Sequence, residues 1–551
     1  MDKIFRFPDH KTKIVFCIIF LIAAFFRFYN LNWDLGHFFH PDERNIANAV
    51  TALKLFSQMD PKFYAYGGFL IFLYKFTADI LVVLFHDPIF AQDWAWINVI
   101  GRSYSALFSL ITLIPLYFLG VKLFNKHVGI IACFFYAVCV SSIQTAHFST
   151  TENLLTLLIT TITLLAIVLY ENPTYKLSLL IGLILGIAVG TKTTGISFLV
   201  APLITLGILL LKKRISIKKS LLSLFLIGST MFIVFTASSP YTFLNFDKFM
   251  ESMHYENSVV LGINPVVYTL QFKNTIPYLF QLKNLFWQLG VFAIIAILGI
   301  VVSSIKGLKT KKYLFLIFLS FPLLYFLYVG SWYTKFNRYM IPLFPFFILC
   351  GSNFIFLLRK KYKKLGIVIS GVIITSAVVY AFAYLSIYTK EQTRIAASKW
   401  IYSHVTKNSF ILSEHWDEGQ PIPLREGSPD MYRTYSLAIY DEDDSAKINY
   451  YSSYLSQADY LTINSRRLYG TLMHLPEKYP LTKHYYELLF AEKLGYKKVA
   501  EFNSYPSLLG IELNDDSSEE TFQVYDHPKS FIFQNIKHYS YPELHKILSA
   551  K

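Results

Sequence analysis

The chain has 551 residues, 54% of them hydrophobic and 17% aromatic, with a formal net charge of +15. Runs of roughly 18 or more nearly uncharged residues recur, enough to cross a hydrocarbon core of about 30 Å. This composition excludes a wholly water-soluble globular protein and predicts a polytopic α-helical membrane protein; the basic residues gather in short loops between apolar runs, and no nucleic-acid partner is expected.

In chain order, the hydropathy pattern predicts spans near 13–30, 97–123, 128–146, 153–170, 177–190, 195–211, 219–237, 287–305, 313–329, 339–358 and 365–387, eleven crossings in all. The first apolar run, 14–29, is followed by no small-residue cleavage pattern and reads as a span rather than a cleaved signal. Cys17, Cys133, Cys139 and Cys350 all lie inside apolar segments, which suits small buried hydrophobes rather than a disulfide framework or a CxxC metal pair.

Residues 1–388 carry 33 Lys and Arg against 14 Asp and Glu, whereas 389–551 carry 18 against 22. The basic clusters fall on alternate sides of the spans: Lys3, Arg6, Lys11 and Lys13; Lys122 and Lys126; Lys176; Lys212 to Lys219; Lys306 to Lys312; Arg359 to Lys364. By the positive-inside rule these loops and the N-terminus are cytoplasmic, and the mildly acidic C-terminal part is exterior to the cell membrane. A further apolar segment, 69–85, would invert every later loop if it crossed. It also carries Lys75 and Asp79, and with the amphipathic stretch 44–56 it is expected to lie in the outer interface. The loop 238–286 mixes aromatic and polar residues in the same way, a surface suited to a substrate that is half lipid.

From 391 onward, amphipathic stretches (391–404, 445–456, 480–494) alternate with β-rich runs (409–413, 458–464, 497–505, 521–526, 529–534). This predicts an exterior α/β domain over 389–551, following a transmembrane catalytic domain over 1–388. The acidic run 441–444 reads as a solvated loop, and Tyr525-Asp526-His527-Pro528 as a turn.

With this topology, ionisable residues near span ends gather on the exterior side: Asp42, Glu43 and Arg44 after the first span, Glu152 at the start of the fourth, Lys192 between the fifth and sixth, and Lys335 and Arg338 before the tenth. A carboxylate there can take a proton from an acceptor hydroxyl, while Lys and Arg stabilise the charge of a departing phosphate. Each residue also has a plainer reading. Asp42 can cap the helix after Pro41, Glu152 can complement a helix dipole, Lys192 can snorkel, and Arg338-Tyr339 can anchor a span at the interface. His147, one turn before Glu152, either orients that acid or is a satisfied interfacial histidine; His40 and Tyr339 flank the charged residues as possible supports. Glu414-His415-Trp416-Asp417-Glu418 has the side chains of a metal site and a sugar-stacking Trp, but its spacing matches no defined metal centre, and no metal or other cofactor is expected.

The segments HFFHPDERNIANAV (37–50), GRSYSALFSLIT (101–112), SIQTAHFSTTEN (142–153), GLILGIAVGTKTTG (182–195), SSPYTF (238–243), NTIPYLFQLKNLFWQLG (274–290), KFNRYMIPLFPF (335–346), RIAASKWIYSHV (394–405), ILSEHWDE (411–418) and VYDHP (524–528) run along nearly the whole chain. Together they resemble the lipid-carrier-dependent glycosyltransferases of the C-type membrane fold, glycosyltransferase family 39, which includes the bacterial relatives of protein O-mannosyltransferases and of the aminoarabinose transferase acting on lipid A. The resemblance implies a polyprenyl phosphate sugar as donor, a hydroxyl acceptor on a protein, polysaccharide or glycolipid, inversion at the anomeric carbon, and no metal. It makes Asp42 the catalytic base with Glu43 beside it, Glu152 the second exterior acid at a position where bacterial members carry Asp, and Lys192 and Arg338 the phosphate clamp, with Arg44 and Lys335 nearby. One rival reading is a transporter or lipid flippase with an exterior sensor domain. Such proteins place ionisable groups and broken helices near the midplane and show inverted repeats, features the sequence does not display. The other is an oligosaccharyl transferase using a pyrophosphate-linked oligosaccharide and a divalent metal.

Overall fold

The computed structural model describes residues 7–550, so Lys3 and Arg6 of the first basic cluster lie outside the described residues. Contacts divide the chain into two units, one built from the residues up to Asn32, Gly36–Val260 and Ile276–Leu385, the other from Trp33–Leu35, Leu261–Thr275 and the chain from Ser386 on.

The first unit is helical. Among the described residues, nine helices are long and apolar enough to cross a membrane, and ten if Lys126–Ala137 and Val140–Ala146, bent by 55°, form one span. Each of the eleven expected spans is a helix or a helix pair. His10–Phe28 holds three cations, one of which, Arg27, is fully buried and donates to Ser109 Oγ and to the carbonyls of Tyr136 and Ala137 at 2.8–2.9 Å. Paired in this way, a cation inside a span is tolerable. The segment Glu152–Glu171 is the most enclosed span. Its Thr156, Thr160 and Thr161 hydroxyls donate to carbonyls one turn back at 2.7–2.8 Å, which satisfies polar groups inside an apolar core.

Helix Tyr175–Thr191 packs on Ile217–Ser238 through Gly182, Gly186 and Gly190. A Cβ there would stand 2.6 Å from the Ile227 carbonyl, 2.8 Å from that of Met231 and 2.1 Å from Ser238 Oγ, so only glycine permits the approach. The end of this helix, and with it Lys192, is thereby fixed.

The segment expected to lie in the interface is one continuous helix, Gly68–Phe85, whose length and composition would also let it cross. The Gly67 and Gly68 amides donate to the Thr191 carbonyl and Ser239 Oγ, Tyr74 stacks on Tyr104, and Phe85 meets Phe90, which meets Trp96. Its first turn is thus held beside the end of helix Tyr175–Thr191, next to Lys192. Lys75 and Asp79, one turn apart, pair at 2.9 Å.

Several expectations are corrected. The span near 287–305 begins later, as Phe292–Thr310. The preceding residues form a separate helix, Leu279–Leu289, because Gly290 adopts a positive φ of 62° and breaks the path. Broken helices are also present: the bent pair above, and the span 195–211, which opens as a 3-10 turn, Thr193–Leu199, before Val200–Leu211.

The second unit has strands β1 (Phe410–Glu414), β2 (Arg433–Leu437), β3 (Tyr460–Ile463), β4 (Tyr496–Phe502), β5 (Ser507–Leu508), β6 (Ile511–Glu512) and β7 (Ser530–Asn535). Five of them form a sheet in the order β2-β1-β3-β7-β4, parallel among β1, β2 and β3 and antiparallel at β7; β5 and β6 pair separately. Alternate residues serve opposite faces: Ile411 and Ile532 pack with Ala397 and Ile401 of helix Thr393–His404, while Leu412, Leu461 and Phe533 join Tyr451, Tyr485 and Leu544 of three other helices. The run 521–526 is no strand. Glu519 accepts from the Thr521 amide and sets up a 3-10 turn, Glu520–Phe522. Nor is 441–444 simply solvated: Asp443 is buried against Lys447 at 2.7 Å and Thr482 at 2.8 Å, and Asp444 caps helix Ser445–Gln457.

Candidate functional site

Four of the charged residues sit where a helix starts or breaks. Pro41 occupies the first turn of helix Pro41–Ala52, a position where its fixed φ and missing N–H cost nothing, and Asp42 follows it. Glu152 opens its helix. Lys192 is a single extended residue (φ −156°, ψ 136°) between helix Tyr175–Thr191 and the 3-10 turn after it. Arg338 lies in a 3-10 turn, Asn337–Leu343, that precedes Phe344–Lys361.

These breaks meet in one place. The Arg338 guanidinium and the Tyr66 hydroxyl both donate to Asp42 Oδ2, the latter at 2.7 Å. Lys192 Nζ stands 3.9 Å from Glu152 Oε1 and over the rings of Tyr66 and Tyr339, at 5.1 and 5.7 Å. Beside them is a cavity of about 570 Å³, lined by Tyr66, Glu152, Lys192, Arg338 and Tyr339 on its charged side and by Leu155, Ile196, Val200, Phe321 and Leu324 on its apolar side. Ile196 and Leu324 are about half exposed, so the apolar side is open to the bundle's surface.

The electrostatics follow from these contacts. Burial alone would raise the Asp42 pKa, but Arg338, His40, the Tyr66 hydroxyl and Lys192 outweigh it and hold the carboxyl down to about 2. For His40, burial dominates over Asp42 and lowers the imidazole to about 4; its neutral Nδ1 accepts the Asp42 amide at 3.2 Å and caps the helix. Glu256, on helix Phe246–Val260, also lines the cavity, and burial raises its pKa against the opposing pull of Lys192.

The other residues singled out in the sequence stand elsewhere. Glu43 is fully buried and takes two 2.8 Å hydrogen bonds from Arg102, with a third of 2.6 Å from the Ser149 amide, so it ties helix Pro41–Ala52 to its neighbours. Arg44 Nε donates to the Phe38 carbonyl at 2.7 Å and Lys335 Nζ to that of Tyr333 at 2.7 Å. Both ring nitrogens of His147 lie 2.8 Å from backbone carbonyls, those of Ile143 and Tyr29, which positions the ring on the backbone. Among the described residues, no group of three or more His, Cys, Asp or Glu could hold a metal. Tyr66, Glu256 and Trp332 are cavity residues that the sequence did not single out.

Residues 93–240 match the family model described as Dolichyl-phosphate-mannose-protein mannosyltransferase. Comparison with curated proteins finds no relative. Among solved structures, the archaeal oligosaccharyltransferase AglB from Archaeoglobus fulgidus, in complex with an inhibitory peptide and a dolichol-phosphate, is 12% identical with a TM-score of 0.56, over 92% of this chain and 75% of that one. The Archaeoglobus fulgidus oligosaccharyltransferase in complex with Zn and sulfate is also 12% identical, with a TM-score of 0.54 over 89% of this chain and 72% of that one. ArnT from Cupriavidus metallidurans bound to undecaprenyl phosphate is 12% identical, with a TM-score of 0.48 over 95% and 98% of the two chains. The chain therefore shares the fold of these solved oligosaccharyltransferases, and over residues 93–240 it is similar to the family model of the protein mannosyltransferases.

Proposed function

We propose that the protein moves a glycosyl group from a polyprenyl phosphate carrier to an acceptor hydroxyl at the outer face of the membrane, by a single inverting displacement. The observation that carries this reading is a cavity lined by two cations, Lys192 and Arg338, and by an apolar side open to the bundle's surface, with the carboxylate Asp42 held directly behind it by Arg338 and Tyr66. The polyprenyl chain lies along that apolar side, and the phosphate enters between Lys192 and Arg338. Arg338 then turns from Asp42 to the phosphate. A carboxylate whose proton affinity was held down by its partner recovers it, and Asp42 becomes a competent base as the donor arrives.

The acceptor oxygen attacks the anomeric carbon from the face opposite the phosphate and gives its proton to Asp42. The bond from carbon to phosphate oxygen breaks, and polyprenyl phosphate leaves with the electron pair, its charge met by the two cations. Lys192 and Arg338 supply positive charge for the departing phosphate, which supports a transfer that needs no metal. The test is transfer by the purified full-length protein from undecaprenyl phosphate sugars, with and without EDTA. Transfer that survives chelation supports the reading; transfer only from pyrophosphate-linked oligosaccharides, and only with a divalent ion, replaces it with an oligosaccharyl transferase.

A further inference from the structure

Helix Phe246–Val260 bridges two parts of the cavity rim. The Thr193 hydroxyl donates to Met253 Sδ at 3.7 Å, next to Lys192, and the Thr334 amide donates to the Val260 carbonyl at 3.1 Å. The second contact brings this helix beside the segment after Gly330, which carries Trp332. Two polar groups on this wall have no use inside the protein. Among the described residues, the half-buried Glu256 carboxylate makes no hydrogen bond or ion pair. The Trp332 side chain is 8% exposed, and its indole N–H is buried without an acceptor. Leaving such a donor unpaired costs about 1–3 kcal/mol, a penalty removed when a ligand supplies the acceptor.

We infer that Glu256 and Trp332 form the sugar-reading wall of the cavity, and that the group they take is a neutral, polyhydroxylated pyranosyl unit. This rests on the phosphate lying at Lys192 and Arg338. Glu256 and Trp332 line the same cavity as both cations, so a sugar bonded to that phosphate shares the cavity with them. A carboxylate accepts hydroxyl protons with either oxygen, and the indole N–H donates to a hydroxyl or ring oxygen. The same carboxylate repels an acidic sugar, so the wall selects by charge as well as by hydrogen bonding.

The experiment measures binding to the full-length protein in nanodiscs of four probes: bare undecaprenyl phosphate and the same lipid carrying glucose, mannose or glucuronic acid. The wild type is expected to bind a neutral glycosylated form at least tenfold more tightly than the bare lipid or the glucuronic acid form. Glu256→Gln and Trp332→Phe should each remove about tenfold of that preference and leave the bare lipid within twofold, and Glu256→Gln should admit the acidic sugar. A wild type without preference for either neutral form, or variants that weaken the bare lipid as much as the glycosylated one, overturns the inference while the phosphate reading stands. Bare-lipid binding that is absent, or unchanged by Arg338→Ala and Lys192→Ala, overturns the phosphate reading and the inference with it.

Discussion

Asp42 and Arg338, 296 residues apart in the chain, share a hydrogen bond at the cavity, and the same carboxylate oxygen also accepts from Tyr66. The contact neutralises the proposed base and the proposed phosphate-binding cation against each other. Neither group is set for its task until something competes for the other.

Asp42→Asn keeps the shape and removes the base. Turnover should fall about 10²- to 10⁴-fold, the usual contribution of one positioned carboxylate, with undecaprenyl phosphate binding largely retained. Single-turnover transfer assays check this, and unchanged turnover would reject the role.

The pH dependence should show the release of Asp42. Beside Arg338 its carboxyl is held down to about 2, so the base form should persist well into acid and kcat/KM should hold where an ordinary aspartate, near 3.9, is being lost. With the donor bound and Arg338 occupied, the pKa rises, and the acid limb of kcat should lie at higher pH than that of kcat/KM. Coinciding limbs would contradict the exchange of partners.

Glu43 should behave quite differently from its neighbour. Arg102→Ala leaves a fully buried carboxylate without its cation, which costs about 3–5 kcal/mol when such a pair is broken from one side. Unfolding in detergent, followed by thermal midpoint, should show a larger drop for Arg102→Ala than for Asp42→Asn, whose pair with Arg338 is partly exposed.

In the second unit, His527 is buried between Asp526 Oδ1 at 2.5 Å and Asp515 Oδ2 at 2.7 Å. Burial would lower its pKa, but the two carboxylates outweigh burial and raise it to about 10. A folded-state pKa above the unfolded value of about 6.5 gives stability that is complete below pH 6.5 and is lost as pH rises towards 10. Thermal melts of the second unit's transition across pH 6 to 10 should decline, and His527→Gln should flatten that decline while lowering the starting point.

The spans were legible because ionisable residues interrupt the apolar runs rarely and near their ends, and the same contrast exposed Asp42, Glu152, Lys192 and Arg338 as candidates. What the sequence could not convey was which of two adjacent acids meets the cavity residue Arg338 and which the buried Arg102, since Asp42 and Glu43 differ by a rotation of about 100° on a helix whose neighbours come from distant segments. Tyr66, Glu256 and Trp332 were hidden for another reason. Aromatic and acidic residues are common in interfacial loops, and only the folding back of helix Phe246–Val260 gives these their meaning. Strand β2 was missed because four of its five residues are exposed at the sheet edge, so the alternation that marks a half-buried strand is absent.

The three glycines of helix Tyr175–Thr191 bear on how this scaffold can diverge. Because backbone lies against backbone there, sliding one helix along the other would carry Lys192 away from the cavity with no side chain able to compensate. If Glu256 reads the sugar as proposed, substrate range can drift through its helix, while the position of Lys192 stays under the control of a seam that admits no added methyl group.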